Sequence, residues 1–417
     1  MIYNEVKSMN EEILRNYAKL IVRTGVNVQK DQDVVVSASV DDAYFVKYVV
    51  EEAYQAGARK VQVEWSFQPL TKLAYDYQSI DTLSEIAVWE EEKMKWKAEK
   101  LPAMIHISSA DPDGLKGIDQ AKMLEVQKNT GPLRMKYMEM MDNKYQWTIV
   151  GIPGIAWAKK VFPDLSEDQA MAALWDAILK VTRVYGDPIQ NWKAHNENLS
   201  QKTKLLNDLG IKTLHYQAAN GTDFRIDIDQ RLAFLAGGET TLDGVYYQPN
   251  MPTEECFTSP VKTSANGVVM ATKPLSVRGV LVQDFGFRFE NGKVKEVIAS
   301  DESSKSVLEK LIATDEGASL LGEVALVPYD SPINQTGILF YNTLYDENAC
   351  CHLALGRAFN ECIKGYQAMS EDEIKAVDLN NSMIHVDFMI GSEDLSIIAD
   401  TYDGKTIQIF KDGTWAI

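Results

Sequence analysis

The sequence predicts an α/β protein: an N-terminal open parallel-sheet α/β domain followed by a C-terminal mixed α+β domain. Three observations lead there. Helical and apolar strand patterns alternate through the first part of the chain. Near residue 208 the composition shifts toward Gly, Thr and Asp, and runs of two-residue alternation begin. Far along the second part, Ser382–Gly391 places His385 and Asp387 two residues apart among apolar, β-prone neighbours. The expected domains are therefore 1–208 and 209–417.

Taken in order, Ser8-Met9-Asn10-Glu11 reads as a capping box opening a helix with Ile13, Tyr17, Leu20 and Ile21 on one stripe. Asp33–Ser37 is a short apolar run suited to a buried strand. Asp41–Ala56 forms a second helix carrying Tyr44, Val46, Val49 and Ala53, and Gly57 stops it. Val61, Val63 and Trp65 alternate as a strand, so the order fits a β-α-β unit in a parallel sheet. Ala103–Ser108 and Trp147–Val150 offer further strands, with helical stretches at 81–98 and 118–142. No G-x-G-x-x-G follows the first strand and no Walker-A loop is present, which argues against nucleotide binding. Ser166-Glu167-Asp168-Gln169 caps a helix reaching about Val184, with Ala172, Leu174, Trp175 and Ile178 inward. Another helix runs from Ile189 to Leu209 and ends at Gly210. Beyond it, alternation marks strands at 212–217, 223–229, 266–271, 279–289 and 294–299, with helices expected near 304–318 and 348–365.

Composition narrows the function classes. The chain has 417 residues, 45% hydrophobic and 24% charged, and a formal net charge of −18. That acidity argues against nucleic acid or anionic membrane as a partner, since both require clustered Lys and Arg. No apolar run reaches the ~18–20 residues of a membrane span. Met1–Lys7 lacks the pattern of a signal peptide. Cys256, Cys350, Cys351 and Cys362 are too few for a disulfide scaffold, and a reducing cytoplasm is the expected location.

Side chains at i and i+2 of a strand share a face, so His385 and Asp387 emerge together while Ile384, Val386 and Phe388 face a core. Three other stretches hold candidates. Asn250–Pro260 carries the adjacent acids Glu254 and Glu255, which face opposite ways if extended. Gly317–Val327 places Glu323 where a helix ends at a glycine and a very apolar strand begins; a buried carboxylate there needs a partner. In Asn342–Gly356, Asp346 or Asn348 is read as capping a helix that carries His352 and packs through Ala354 and Gly356. Cys350 and Cys351 are read as small buried residues, with soft ligands as the alternative. Separately, each has an ordinary structural explanation. Together, Glu255, Glu323, His352, His385 and Asp387 supply three carboxylates and two imidazoles, a set suited to two divalent cations sharing a bridging carboxylate. Two metals ~3.5–4 Å apart hold a hydroxide nucleophile and polarise a carbonyl at once.

Four of these motifs, Asn250–Glu255, Leu321–Pro328, Leu344–Ala349 and Met383–Ser392, resemble the thermophilic metallo-aminopeptidase family, the group of aminopeptidases S and T. Trp157–Pro163 and Trp192–Asn196 resemble the N-terminal half of that family. The resemblance covers nearly the whole chain. It implies metal ligands at Glu255, Glu323, His352, His385 and Asp387, a homodimer with a largely enclosed active-site cavity, and removal of N-terminal residues from peptides. One position departs: Phe359 stands where the family carries a tyrosine thought to assist catalysis.

The expected function is thus a cytoplasmic, two-metal aminopeptidase with residues 209–417 as its catalytic metal-binding domain, acting on peptides with a free N-terminus. Zinc, cobalt, manganese and magnesium all suit the donors. Glu323 is the expected bridge, and Glu254 and Glu316 are candidates for general base. The alternatives are a catalytically degenerate metal- or peptide-binding homologue, at which Phe359 hints, and a two-metal hydrolase of a non-peptide substrate. Tyr341 or Tyr345 would be the nearest replacements for the missing phenol.

Overall fold

A computed structural model describes residues 11–277 and 280–417. The chain divides into two compact units, Met1–Ala194 with Gly238–Pro252, and His195–Gly237 with Thr253–Ile417. The helix Pro188–Leu209 carries the first crossing between them, and the boundary expected near residue 208 falls at that helix's end. Ser8 and its neighbours in the expected first capping box lie outside the described residues.

The first unit is built on a five-stranded parallel sheet. Its order is Asn250–Met251, Trp147–Gly151, Ala103–Ser108, Asp33–Ser39 and Lys60–Ser66. Helices connect the strands, as parallel pairing requires. Tyr17, Phe45 and Trp175 pack edge-on and tilted against one another with ring centres 5.5–6.4 Å apart. The helix Ala43–Ala56 ends at Gly57, whose φ of 104° closes the helix in the left-handed region open to glycine. Ser166 and Gln169 form the expected reciprocal cap of Glu167–Val181. Ala172 is exposed rather than inward; the buried stripe runs through Ala170, Leu174, Trp175, Ala177 and Ile178. After the first strand, Asp42 Oδ2 accepts from Ser39 N at 3.1 Å and from Ser109 Oγ at 2.7 Å. A carboxylate therefore fills the turn that would cradle a phosphate in a dinucleotide fold.

Beside a two-stranded sheet, Leu275–Val277 with Val280–Val282, the second unit holds two large antiparallel sheets. One has eight strands in the order Lys293–Ala299, Phe285–Glu290, Asn266–Met270, Asp223–Asp227, Ile211–Gln217, Ser396–Thr401, Thr406–Lys411 and Thr414–Trp415. The other has five, in the order His385–Met389, His352–Gly356, Leu321–Leu326, Cys256–Thr258 and Leu235–Ala236. Residues from both sheets share one hydrophobic core. Phe388 meets Phe287 edge to face at 5.1 Å and Phe285 at 6.3 Å.

Two expectations for this unit need correction. His352 lies on a strand, not on a helix, and no long helix covers 348–365. The only α-helix near it is the short Thr343–Asp346, capped by Asn342. Leu353 and Leu355 face the core while His352 and Ala354 pair with strands on both sides and Gly356 with His385 on one, so a run compatible with a helix is held extended by its neighbours. The helix expected at 304–318 is Glu302–Ile312, and Gly317 opens a 3₁₀ turn, Gly317–Ser319.

Candidate metal centre

The five-stranded sheet sorts its side chains by face. Glu323 pairs with Ala354, and Ala354 pairs with Asp387, so the three form one row across the sheet. The next row holds Phe257, Ala325, His352 and Met389. His385, two residues before Asp387, shares that face, and Glu255, just ahead of the strand Cys256–Thr258, reaches it. Cys256, Val324, Leu326, Leu353, Leu355 and Phe388 point the other way and lie in the hydrophobic core. Thus one face is apolar and holds the sheet to its partner, and the other gathers the chemistry. Ala325 and Ala354, both 0% exposed, keep the middle of that face low.

All five predicted ligands meet there. Ligand atoms of Glu255, Glu323 and His352 lie within 4.8 Å of one another, and so do those of Glu323, His385 and Asp387. Glu323 belongs to both groups. His352 Nε2 is 3.2 Å from Glu255 Oε2, and His385 Nε2 is 3.1 Å from Glu323 Oε2 and 3.3 Å from Asp387 Oδ1. His385 Nδ1 donates to the Arg357 carbonyl at 2.7 Å, which fixes the ring and turns Nε2 toward the carboxylates. Glu323 is the third residue of its strand, buried just past a bulge, and not at an exposed threshold.

Charge is concentrated in the buried site, three carboxylates against two imidazoles. Burial pushes Glu323 up to about 7 against the opposing pull of His385. Burial works against a charged His385, yet Asp387 and Glu323 raise it to about 12. His352 is likewise buried and is raised well above the usual imidazole value by Glu255. Asp387 is held low by His385 despite its burial. Asp387 Oδ1 is buried, with His385 Nε2 3.3 Å away but without hydrogen-bond geometry. A buried set of carboxylate oxygens and imidazole nitrogens, with more acids than bases, fits divalent cations.

One residue escaped the sequence reading. Glu347, half-buried, is held well above the ordinary carboxylate value by desolvation and then by the charges of Asp387 and Glu255. It stands outside both ligand groups. Its signal in the sequence was its place beside Asp346, between the motif's tyrosine and His352. Of the candidate bases, Glu254 is 7% exposed with Oε2 3.9 Å from His195 Nε2, and Glu316 is exposed. Tyr345 stacks on Phe340 at 4.8 Å, and Tyr341 adopts a φ of 54°. Phe359 lies against the site, its ring 4.8 Å from that of His385 and 5.5 Å from that of Phe257. Cys350 and Cys351 are buried free thiols, and burial pushes both upward.

Comparison with known proteins agrees with this geometry. The chain is 44% identical to aminopeptidase AmpS of Bacillus subtilis (strain 168) over 97% of its own length and 98% of that protein's. It is 38% identical to aminopeptidase 2 of Geobacillus stearothermophilus, again over 97% and 98%. The solved structure of wild-type AmpT from Thermus thermophilus superposes with a TM-score of 0.89 at 35% identity, covering 98% of this chain and 100% of that one. Residues 10–415 match the thermophilic metalloprotease family M29. A sheet face that collects carboxylates and imidazoles and a match spanning both units lead to one conclusion: the chain belongs to the M29 metalloproteases.

Proposed function

We propose that this protein is a divalent-metal aminopeptidase that removes N-terminal residues from peptides, with Glu255, Glu323, His352, His385 and Asp387 as the ligands of two ions. The observation that carries the reading is Glu323, shared by two groups of ligand atoms that otherwise have no member in common. Glu255 and His352 hold one side of the site with Glu323, and His385 and Asp387 hold the other. When bound, the ions supply Lewis acidity to the scissile carbonyl and make water acidic enough to serve as nucleophile near neutral pH. The Arg357 carbonyl keeps His385 oriented with Nε2 inward. We assign Glu347 to hold and pass the proton from water to the leaving amine, because its turn, Glu347–Ala349, packs against the strand that carries His385 and Asp387 while Glu347 itself is in neither ligand group. Glu254 faces His195 and Glu316 faces solvent, which makes both poorer candidates.

Zinc, cobalt, manganese and magnesium all suit these donors, and supply would decide among them. The homodimer belongs to the same reading and rests on the family resemblance, and the cytoplasmic location rests on the few, free cysteines; no helix among the described residues is long and apolar enough to cross a membrane. The test compares peptides that differ only in N-terminal acetylation, using chelator-stripped protein given each metal in turn. Metal-restored release of the first residue from the free peptide alone supports the reading. Equal cleavage of the acetylated peptide would make the protein an endopeptidase.

A further inference from the structure

Four of the five ligands in the proposed set are held by strand ladders. Glu323, His352, His385 and Asp387 all lie inside strands whose register fixes them. Glu255 does not. It precedes the strand Cys256–Thr258, in a segment without regular structure, so no ladder sets its position. Two buried side chains hold that segment instead. His195, on the helix Pro188–Leu209, places Nε2 2.7 Å from the Thr253 carbonyl. A carbonyl only accepts, so the proton is on Nε2. Asn348 accepts from Glu254 N through Oδ1 at 2.7 Å and donates through Nδ2 to the Leu344 carbonyl at 3.1 Å. His195 is 8% exposed and Asn348 0%. The two bonds hold the carbonyl and the N–H of one peptide group, the one joining Thr253 to Glu254 a residue before Glu255, one from a helix and one from the turn that carries Glu347.

We infer that His195 and Asn348 are positioning residues that clamp the Thr253–Glu255 segment and so set the affinity of the ion shared by Glu255 and His352. This rests on the ligand assignment proposed above. Partners one shell out from a metal typically govern ~10–100-fold in affinity, because they fix where the ligand atom stands. Here the influence is confined to one side of the site. Glu323, His385 and Asp387 owe their positions to strand pairing and share no bond with either clamp residue.

The test titrates cobalt(II) chloride into chelator-stripped full-length protein against a competing chelator, following the cobalt absorption bands. Wild type should show two binding events. His195→Ala should weaken one of them by ~10–100-fold and leave the other nearly unchanged. His195→Gln retains an amide N–H that can reach the Thr253 carbonyl and should recover most of the loss. Asn348→Ala should weaken the same event as His195→Ala. Thermal melting of the stripped variants reads global stability separately, and either variant suffices if the other fails to fold. Two unchanged affinities overturn the clamp, as does a parallel loss of both events that tracks melting temperature. Failure of wild type itself to bind cobalt overturns the ligand assignment and the clamp with it.

Discussion

Glu323 and Asp387 stand in one cross-strand row of the five-stranded sheet, with only Ala354 between them. Neighbouring strands lie ~4.8 Å apart, so two carboxylates separated by one small residue can both reach a site above the middle strand. Ala354 is 0% exposed, and its methyl group leaves that space open. Ala354→Leu should fill it. The expected result is a loss of metal uptake together with ~1–3 kcal/mol of destabilisation from overpacking. Equilibrium dialysis and denaturant melts measure the two effects. Full metal content in this variant would mean that the ions sit elsewhere.

His385→Ala should remove at least one ion per chain and lower turnover by at least ~100-fold. The parallel sheet of the first unit has its own core and should retain its secondary structure, which circular dichroism and limited proteolysis can follow. Unchanged metal content and turnover would refute the assignment of His385.

Glu347→Gln separates binding from proton transfer. The amide keeps the shape but cannot carry the proton. We expect metal stoichiometry to be retained and kcat to fall by ~10²–10⁴-fold. A loss of metal instead would make Glu347 a ligand.

Phe359 touches the ring of His385, with centroids 4.8 Å apart, but has no hydroxyl to offer a developing oxyanion. Loss of such a donor elsewhere costs roughly 10²–10³-fold in kcat. The wild-type protein is expected to be active with Phe359 in place, so Phe359→Tyr should change kcat less than ~10-fold. A gain of hundreds of times from a near-zero background would indicate a degenerate homologue.

Asp42 gives the first unit a pH-dependent stability. Burial raises its carboxyl to about 6, against the pull of Ser109 and Ser39. The folded form thus binds this proton more tightly than the unfolded chain does. The contribution is fully present below the ordinary carboxylate value near ~4 and is lost as pH climbs through about 6. The total is at most roughly 3 kcal/mol, since each tenfold gain in proton affinity is worth ~1.4 kcal/mol. Asp42→Asn should flatten the stability of the first unit across this window in denaturant melts. A slope equal to wild type would assign the pH dependence to other groups.

The sequence made some elements plain and hid others for physical reasons. His385 and Asp387 were readable as a same-face pair because β-branched and aromatic neighbours fix the two-residue period. Four strands of the parallel sheet are legible because Asp33–Ser39, Ala103–Ser108 and Trp147–Gly151 are short apolar runs and Lys60–Ser66 alternates, with helical stretches between them. His352 reads as helical because Ala354, Leu355 and Gly356 carry little β preference; strand pairing of His352, Ala354 and Leu355 on both sides, which is non-local, holds the run extended. Glu347 was passed over because nothing local distinguishes it from a solvated acid beside Asp346. Only the fold brings Asp387 and Glu255 to bear on it. The return of Gly238–Pro252 to the first unit is also non-local, since it depends on Asn250 and Met251 pairing with Ile149 and Val150.

The most direct test of the central claim is a metal titration followed by turnover of an aminoacyl-p-nitroanilide. Chelator-stripped protein should be inactive, and activity should rise with added divalent ion and saturate near two ions per chain. His385→Ala and Glu323→Gln should fail to recover under the same conditions. Full turnover by stripped protein, or full recovery by both variants, would contradict the account.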